Sequence, residues 1–220
     1  MSKLVKIKSI EYVENNSYLY DIEVKDNHNF FANNILVHNC QSATFTSKPV
    51  KQRFGWNLLN NLFCKPTFYV CTRNNITSNK SSLYWQIARK YNIEQICKEN
   101  PGIIIQGEQG NSKVQGNKYG LKEPRLFVFT IKDSIKNKVY DYDEMKAFCD
   151  KYGLETVPLL YQGKLKDIGT TVDDFVNYSM GKSKIANIER EGVVIRCIKN
   201  GCKMASFKVI NPKFLIKNDL

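Results

Sequence analysis

An α+β fold with a largely antiparallel sheet, preceded by a short β-rich N-terminal segment, is what this 220-residue sequence predicts. Three observations carry that prediction. Apolar residues recur at helical spacing in three stretches that begin or end on capping residues. Between them lie short runs rich in Ile, Val and Phe that read as strands. The two kinds of element interleave irregularly, unlike the strict alternation of a doubly wound parallel sheet.

In chain order, "KLVKIKSIEY" and "SYLYDIEVKDN" are two short strands separated by the turn-forming "ENNS". "NFFANNILVHN" follows, with Asn33-Asn34 as a tight turn before a last apolar strand. Residues 1–39 alone are too small to bury a stable core and call for a partner. Beyond them, "SSLYWQIARKYNIEQICKEN" places Leu83, Ile87, Ala88, Tyr91 and Ile96 at helical spacing, with Ser at the start. "YDEMKAFCDKYG" repeats the pattern and closes on Gly153. "TVDDFVNYSMG" starts on Thr and stops on Gly. The intervening strands are "PGIIIQGE", "PRLFVFTIKD", "REGVVIRCI" and "KMASFKVI".

Composition bounds the rest. No apolar run is long enough to span a bilayer, and "MSKLVKIKSIEYVE" lacks the apolar core of a signal peptide. Residues 1–39 hold four Lys against five acids, so the net charge of +12 lies wholly in the remainder. That polarity suits a polyanionic partner such as nucleic acid; a Lys-rich coding bias would give the same charge. Seven cysteines with no C-x-x-C pair, and only two histidines, give little support to a zinc site. They point to a reducing cytosol, with most thiols acting as small buried hydrophobes.

The segment from residue 27 to 45 ends a strand on His38-Asn39-Cys40. An Asn side-chain amide can attack its own backbone carbonyl, forming a succinimide and cutting the chain after it. A neighbouring imidazole assists by moving protons. A thiol immediately afterwards can accept an acyl group by transthioesterification. "YLYDIEVKDNHNFFANNILVHNC" closely resembles the C-terminal splicing motif of inteins. The resemblance implies that Cys40 is the first extein residue and branch nucleophile. Asn39 is then the cyclising residue, His38 its assistant, His28 a second imidazole and Asp21 the acid of the Tyr-Asp pair. With 39 residues and an initiating Met, the segment looks like the C-fragment of a split intein with a HINT-type fold. The N-fragment would sit on a separate chain, splicing would occur in trans, and no cofactor would be needed.

Downstream, polar residues fall near strand ends: Glu108 after "IIIQG", Glu191 before "GVVIR" and Lys208 within "SFKVI". A Lys among hydrophobes makes a fixed cation for phosphate, and carboxylates hold divalent metals. With "VCTRNN", "IIIQGEQGNSKVQGNKYG" and "LFVFTI", these stretches resemble the motifs of covalent nucleotidyltransferases, in particular ATP-dependent RNA ligases, over roughly residues 40–217. The resemblance implies that Arg73 binds nucleotide phosphates or the polynucleotide end. Glu108 would bind the ribose, Phe129 stack on adenine, Lys208 contact the α-phosphate and Glu191 serve Mg²⁺. Phe127, on the same strand, competes with Phe129 for the stacking role. Lys203 and Lys213 read as a solvated basic face. The family's fifth motif often has two lysines one residue apart; here Ser206 stands in the first place.

The family's nucleophile is the Lys of a K-x-D-G element that becomes Lys-AMP, and no such element exists in this chain. In relatives a stretch like G-Q-S-A-T-F follows it; here "CQSATF" begins at Cys40, which either replaces the motif's Gly or follows it. The expected organisation is therefore an intein C-fragment over 1–39 and a nucleotidyltransferase domain without its first motif over 40–220. Joining to the partner chain would restore an ATP- and Mg²⁺-dependent ligase of RNA ends. An accessory nucleic-acid-binding domain, if there is one, is expected ahead of the catalytic domain on that partner. The alternatives are a DNA ligase or DNA-end adenylating enzyme after splicing, and an inactive fragment that never splices.

Overall fold

A computed structural model describes residues 29–32, 35–38, 42–47, 67–72, 75–110 and 119–217. It forms two compact units, Met1–Asn39 and Cys40–Leu220. In the first, strands β1 (Asn29–Ala32) and β2 (Ile35–His38) pair antiparallel, with Ala32 opposite Ile35 and Asn29 opposite His38. This is the hairpin expected around Asn33-Asn34. The strands expected over 3–12 and 17–27 lie outside the described residues.

The second unit is built on a sheet in the order β4 (Phe68–Cys71), β3 (Ser42–Ser47), β5 (Ile103–Gly110), β6 (Arg125–Asp133) and β7 (Lys138–Val139). All of these pair antiparallel; only β8 (Glu155–Thr156) runs parallel to its neighbour β6. The mixed, mostly antiparallel architecture agrees with the sequence. Alternation along "SATFTS" puts Ala43, Phe45 and Ser47 on the buried face and Ser42, Thr44 and Thr46 on the other. The buried face continues through Val70, Ile103, Ile105, Leu126, Val128 and Ile131.

Helices cover that face. The helical stretch expected over 81–100 divides into α1 (Leu83–Lys90) and α2 (Ile93–Glu99). Asn92 adopts a left-handed φ of 50°, which Asn tolerates better than most residues, and the chain restarts there as a new helix. Ser82 caps α1, its hydroxyl accepting from the Trp85 amide. Trp85, Ile87, Ile93 and Ile96 fill the core beneath, and Ser47 donates to the Cys97 carbonyl at 2.9 Å. Helix α3 (Tyr142–Tyr152) begins on a capping box between Asp141 and Glu144 and ends on left-handed Gly153. It contributes Met145 and Cys149 to the same core.

Helix α4 (Val172–Ser179) carries a second capping box, between Thr171 and Asp174, but stops at Met180, one residue before the expected Gly181. Strands β9 (Gly192–Lys199) and β10 (Cys202–Ile210) form a separate antiparallel ribbon, followed by α5 (Pro212–Lys217), which the sequence reading missed. Asn200 and Gly201, with φ of 51° and 73°, make its two-residue turn. One face of the ribbon packs on α4, where Phe175 and Phe207 meet edge to face at 6.2 Å.

The cysteine expectation holds in part. Cys97 and Cys149 are buried, with burial pushing their thiols up to about 12 and about 11 respectively. Cys197 and Cys202 instead lie exposed on the ribbon, because a two-stranded ribbon has too few neighbours to cover both of its faces. No helix among the described residues is long and apolar enough to cross a membrane.

Candidate functional site

The sheet face away from the helices is mixed, with Ile104 and Phe127 among polar residues. It carries Ser42, Thr44 and Thr46 of β3, Gln106 and Glu108 of β5, and Thr130 of β6. Gln106 donates to Thr44 Oγ1 across the ladder at 3.3 Å. Ser42 stands directly opposite Glu108, and Glu108 opposite Phe127. β3 thus carries the chain from the residues just after Cys40 to the side of Glu108.

A bulge separates the two phenylalanines of β6. Gln106 pairs with Thr130 and Gly107 with Val128, so Phe129 is the extra residue without a partner in the ladder. Simple alternation no longer relates it to Phe127. Phe127 is 8% exposed, whereas Phe129 is half-buried and presents its ring towards the ribbon. There the Arg196 guanidinium sits 5.0 Å from the Phe129 ring centroid. Arg196 also donates to the Phe129 carbonyl, and to Thr130 Oγ1 at 3.0 Å.

The ribbon brings the remaining residues in. Lys208 donates to Glu191, an ion pair partly shielded from water. Asn211, fully buried, holds the base of the ribbon. Its amide nitrogen donates to the Glu191 carbonyl at 2.9 Å and its side chain to the Arg190 carbonyl at 2.8 Å. Glu191, Lys208 and Glu108 share one electrostatic neighbourhood. The Glu108 side chain reaches solvent at the mouth of the cleft. Crowding by protein nonetheless raises its carboxyl above the ordinary range, the Glu191 charge adds to this, and Lys208 acts against it.

The glycine of "EGVVIR" has a steric reason. A Cβ on Gly192 would lie 2.2 Å from the Val209 carbonyl oxygen of the paired strand, which cannot yield without breaking the ribbon. We expect Gly192→Ala to destabilise the protein by about 3 kcal/mol and to displace Glu191. Denaturant unfolding measures the first effect; an unchanged midpoint would refute it.

Of the sequence-predicted residues, Glu108, Glu191 and Lys208 come together between the sheet and the ribbon, and Phe129 meets the same ribbon through Arg196. Asp21, His28, Asn39, Cys40 and Arg73 lie outside the described residues. His38 is the last residue of β2. Arg196 was missed, although its position two residues after Val194 on a strand signalled a common face. Among the described residues no three His, Cys, Asp or Glu cluster as a metal cage. Two neighbouring carboxylates, Glu108 and Glu191, are hard oxygen donors that suit a divalent cation completed by phosphate and water. The donor set fits a shared metal rather than a fully caged one.

The family model described as RNA ligase matches residues 27–210. Among solved structures, the chain is similar to Naegleria gruberi RNA ligase with PPi, with a TM-score of 0.67 and 22% identity over 82% of this chain and 49% of that one. It is also similar to a lysine variant of that ligase with ATP and Mn, at 0.65 and 22%, covering 82% and 49%. A further lysine variant, with AMP and Mn, gives 0.64 and 24%, covering 81% and 48%. These identities show a shared fold, and the chain spans about half the length of the structures it matches. A 36-residue stretch is 58% identical to a DNA polymerase of Thermococcus litoralis, covering 16% of this chain and 2% of that protein. A 35-residue stretch is 57% identical to the Thermococcus aggregans DNA polymerase, again 16% and 2%.

Proposed function

Since this chain belongs to the RNA ligase family, we propose that it is the C-terminal half of an ATP-dependent RNA ligase, completed by protein splicing in trans. The observation that carries the ligase half is the convergence of Glu108, Glu191 and Lys208 from β5, the approach to β9, and β10, with Phe129 of β6 joined to the same ribbon through Arg196. Structures similar in fold contain ATP or AMP with Mn, which supports a nucleotide and a divalent cation at this site. Mg²⁺ is the cation we propose.

In the joined enzyme the partner's lysine attacks the α-phosphorus of ATP. An N–P bond forms as the bond to the β-phosphate oxygen breaks, and pyrophosphate leaves. AMP then passes to a 5′-phosphate, and a 3′-hydroxyl displaces it. On this chain, Lys208 offsets the charge developing on the α-phosphate, held in place by Glu191. Glu108 accepts hydrogen bonds from the ribose, and the Phe129 ring packs against the base. Glu191, with Glu108 beside it, would hold the divalent cation, which supplies further charge neutralisation at the phosphates. Arg73 remains the proposed ligand of the outer phosphates or the polynucleotide end.

Three features support splicing. The division of the chain into two units falls between Asn39 and Cys40, the bond that the His-Asn-Cys chemistry would cut. The family's K-x-D-G nucleophile is missing from the chain just where Cys40 begins the residues that follow it in relatives. A stretch close in length to the 39-residue unit is shared, at 58% identity, with a protein named for a different activity, as fits a segment carried by unrelated hosts. The partner is then a separate chain holding the N-terminal intein fragment and the ligase nucleophile, and the spliced product acts on RNA ends in a reducing cytosol.

The test is to combine this chain with that partner and follow intact mass. A product retaining residues 40–220, with 1–39 released, that takes up AMP from labelled ATP and seals nicked RNA in preference to nicked DNA is expected. An active ligase that retains residues 27–39, as the family match from residue 27 allows, would overturn splicing. Preference for nicked DNA would overturn the RNA assignment.

A further inference from the structure

The ribbon face that carries Lys208 carries a second cation from the neighbouring strand. Ser206 and Arg196 are direct cross-strand partners, and Lys208 pairs with Val194 one row further along. Residues two apart on a strand share a face, and directly opposed residues share it as well. Lys208, Ser206 and Arg196 therefore occupy neighbouring positions on one face, in an unbroken part of the register. The family often places lysines at both of the β10 positions; this chain has a hydroxyl in the first and a guanidinium beside it.

The two cations are used differently. Lys208 gives its charge to Glu191. Arg196 makes no ion pair with a carboxylate among the described residues: its hydrogen bonds go to the neutral Phe129 carbonyl and Thr130 hydroxyl. A guanidinium has five N–H donors in a fork matched to phosphate, so these contacts orient it without exhausting it. Dehydration at this position disfavours its charged form, a cost that an arriving anion would offset. The Phe129 ring, its centroid 5.0 Å from the guanidinium, adds a cation–π contact that fixes the side chain towards the sheet.

Resting on the ligase reading above, we infer that Arg196 stands in for the lysine absent at position 206 and is the site's second phosphate-binding cation, gripping a phosphate of the bound nucleotide from the opposite strand. The missing lysine is thus compensated across the ladder, and the cleft keeps its two cations.

The test uses the joined ligase and measures AMP uptake from labelled ATP with Mg²⁺. Arg196→Gln keeps a donor for the Phe129 carbonyl while removing the charge. It should lower the rate of uptake by about 10- to 100-fold at limiting ATP. Adding Ser206→Lys to that variant should restore most of the rate, and Ser206→Lys alone should keep at least the parent's rate. A merely structural Arg196 would not be rescued by a lysine on the other strand. Uptake by Arg196→Gln equal to the parent, or a loss that Ser206→Lys leaves unrepaired at an unchanged thermal midpoint, would overturn the inference while the ligase reading stands. If Arg196→Gln lowers the thermal midpoint, Arg196→Lys, which keeps the charge, should retain uptake within about 10-fold of the parent, and uptake as low as that of Arg196→Gln would overturn the inference. No uptake by the parent would remove the ligase reading and this inference together.

Discussion

Asn39→Ala should leave the joined product undetectable in its fully spliced form, with this chain still attached through residues 1–39. The reason is stoichiometric: the side-chain amide is consumed in the step that cuts the chain, and alanine offers no nucleophile. If Cys40 is the branch nucleophile, the block falls after it, and intact mass will show a branched species in which the partner's ligase half is esterified to the Cys40 thiol. Cys40→Ala should block one step earlier, so no branched species forms, yet Asn39 can still cyclise and release residues 1–39. The two variants thus accumulate opposite fragments. His38→Ala should slow cleavage after Asn39 by about 10²–10⁴-fold, the range for loss of a positioned proton carrier. Ligase activity must follow the same order, because AMP uptake needs the partner's lysine in the same active site. Fully spliced product from Asn39→Ala would sink the intein assignment.

How much of this was legible in the sequence depended on how local each signal was. The hairpin around Asn33-Asn34 and α3, with Asp141 at one end and Gly153 at the other, follow from caps and turns a few residues long. The division between α1 and α2 was not legible, because apolar spacing continues through Asn92 and only its left-handed backbone ends the helix. β3 was passed over although "SATFTS" alternates perfectly, since its outward residues are small and its inward set includes a serine that a carbonyl of α2 satisfies. In the site, the ribbon's pairing was only partly legible: the Asn200-Gly201 turn sets the register as far as Lys203, and a bulge between Lys203 and Ala205 then shifts it by one residue. That shift, which no local signal in the sequence announces, brings Arg196 opposite Ser206 rather than Ala205. The bulge at Phe129 was out of reach, because it arises from pairing between strands far apart in the chain.

Lys208→Met should reduce AMP transfer by about 10²–10³-fold, the usual loss for one preorganised group facing developing charge, and should also change how stability depends on pH. Glu108 and Glu191 would then face each other without their shared cation. The Glu108 carboxyl already stands above its ordinary value of 4.5, because of crowding and the Glu191 charge. A carboxyl raised on folding binds its proton more tightly in the folded state than in the unfolded one. Its contribution to stability is therefore fully present below the unfolded value and is lost as pH rises through the folded one. Removing Lys208 raises the folded value further, so Lys208→Met should be less stable than the parent at pH 7 and should recover on acidification. Glu108→Gln should do the reverse: more stable than the parent at pH 7, with the gain vanishing below about pH 4.5 where the parent's carboxyl is neutral in both states. Thermal midpoints of the three proteins across that range decide the matter, and a Glu108→Gln protein no more stable than the parent at pH 7 would refute it. If the gain appears together with lost AMP uptake, Glu108 is a carboxylate kept at a cost to the fold because the ribose needs its charge.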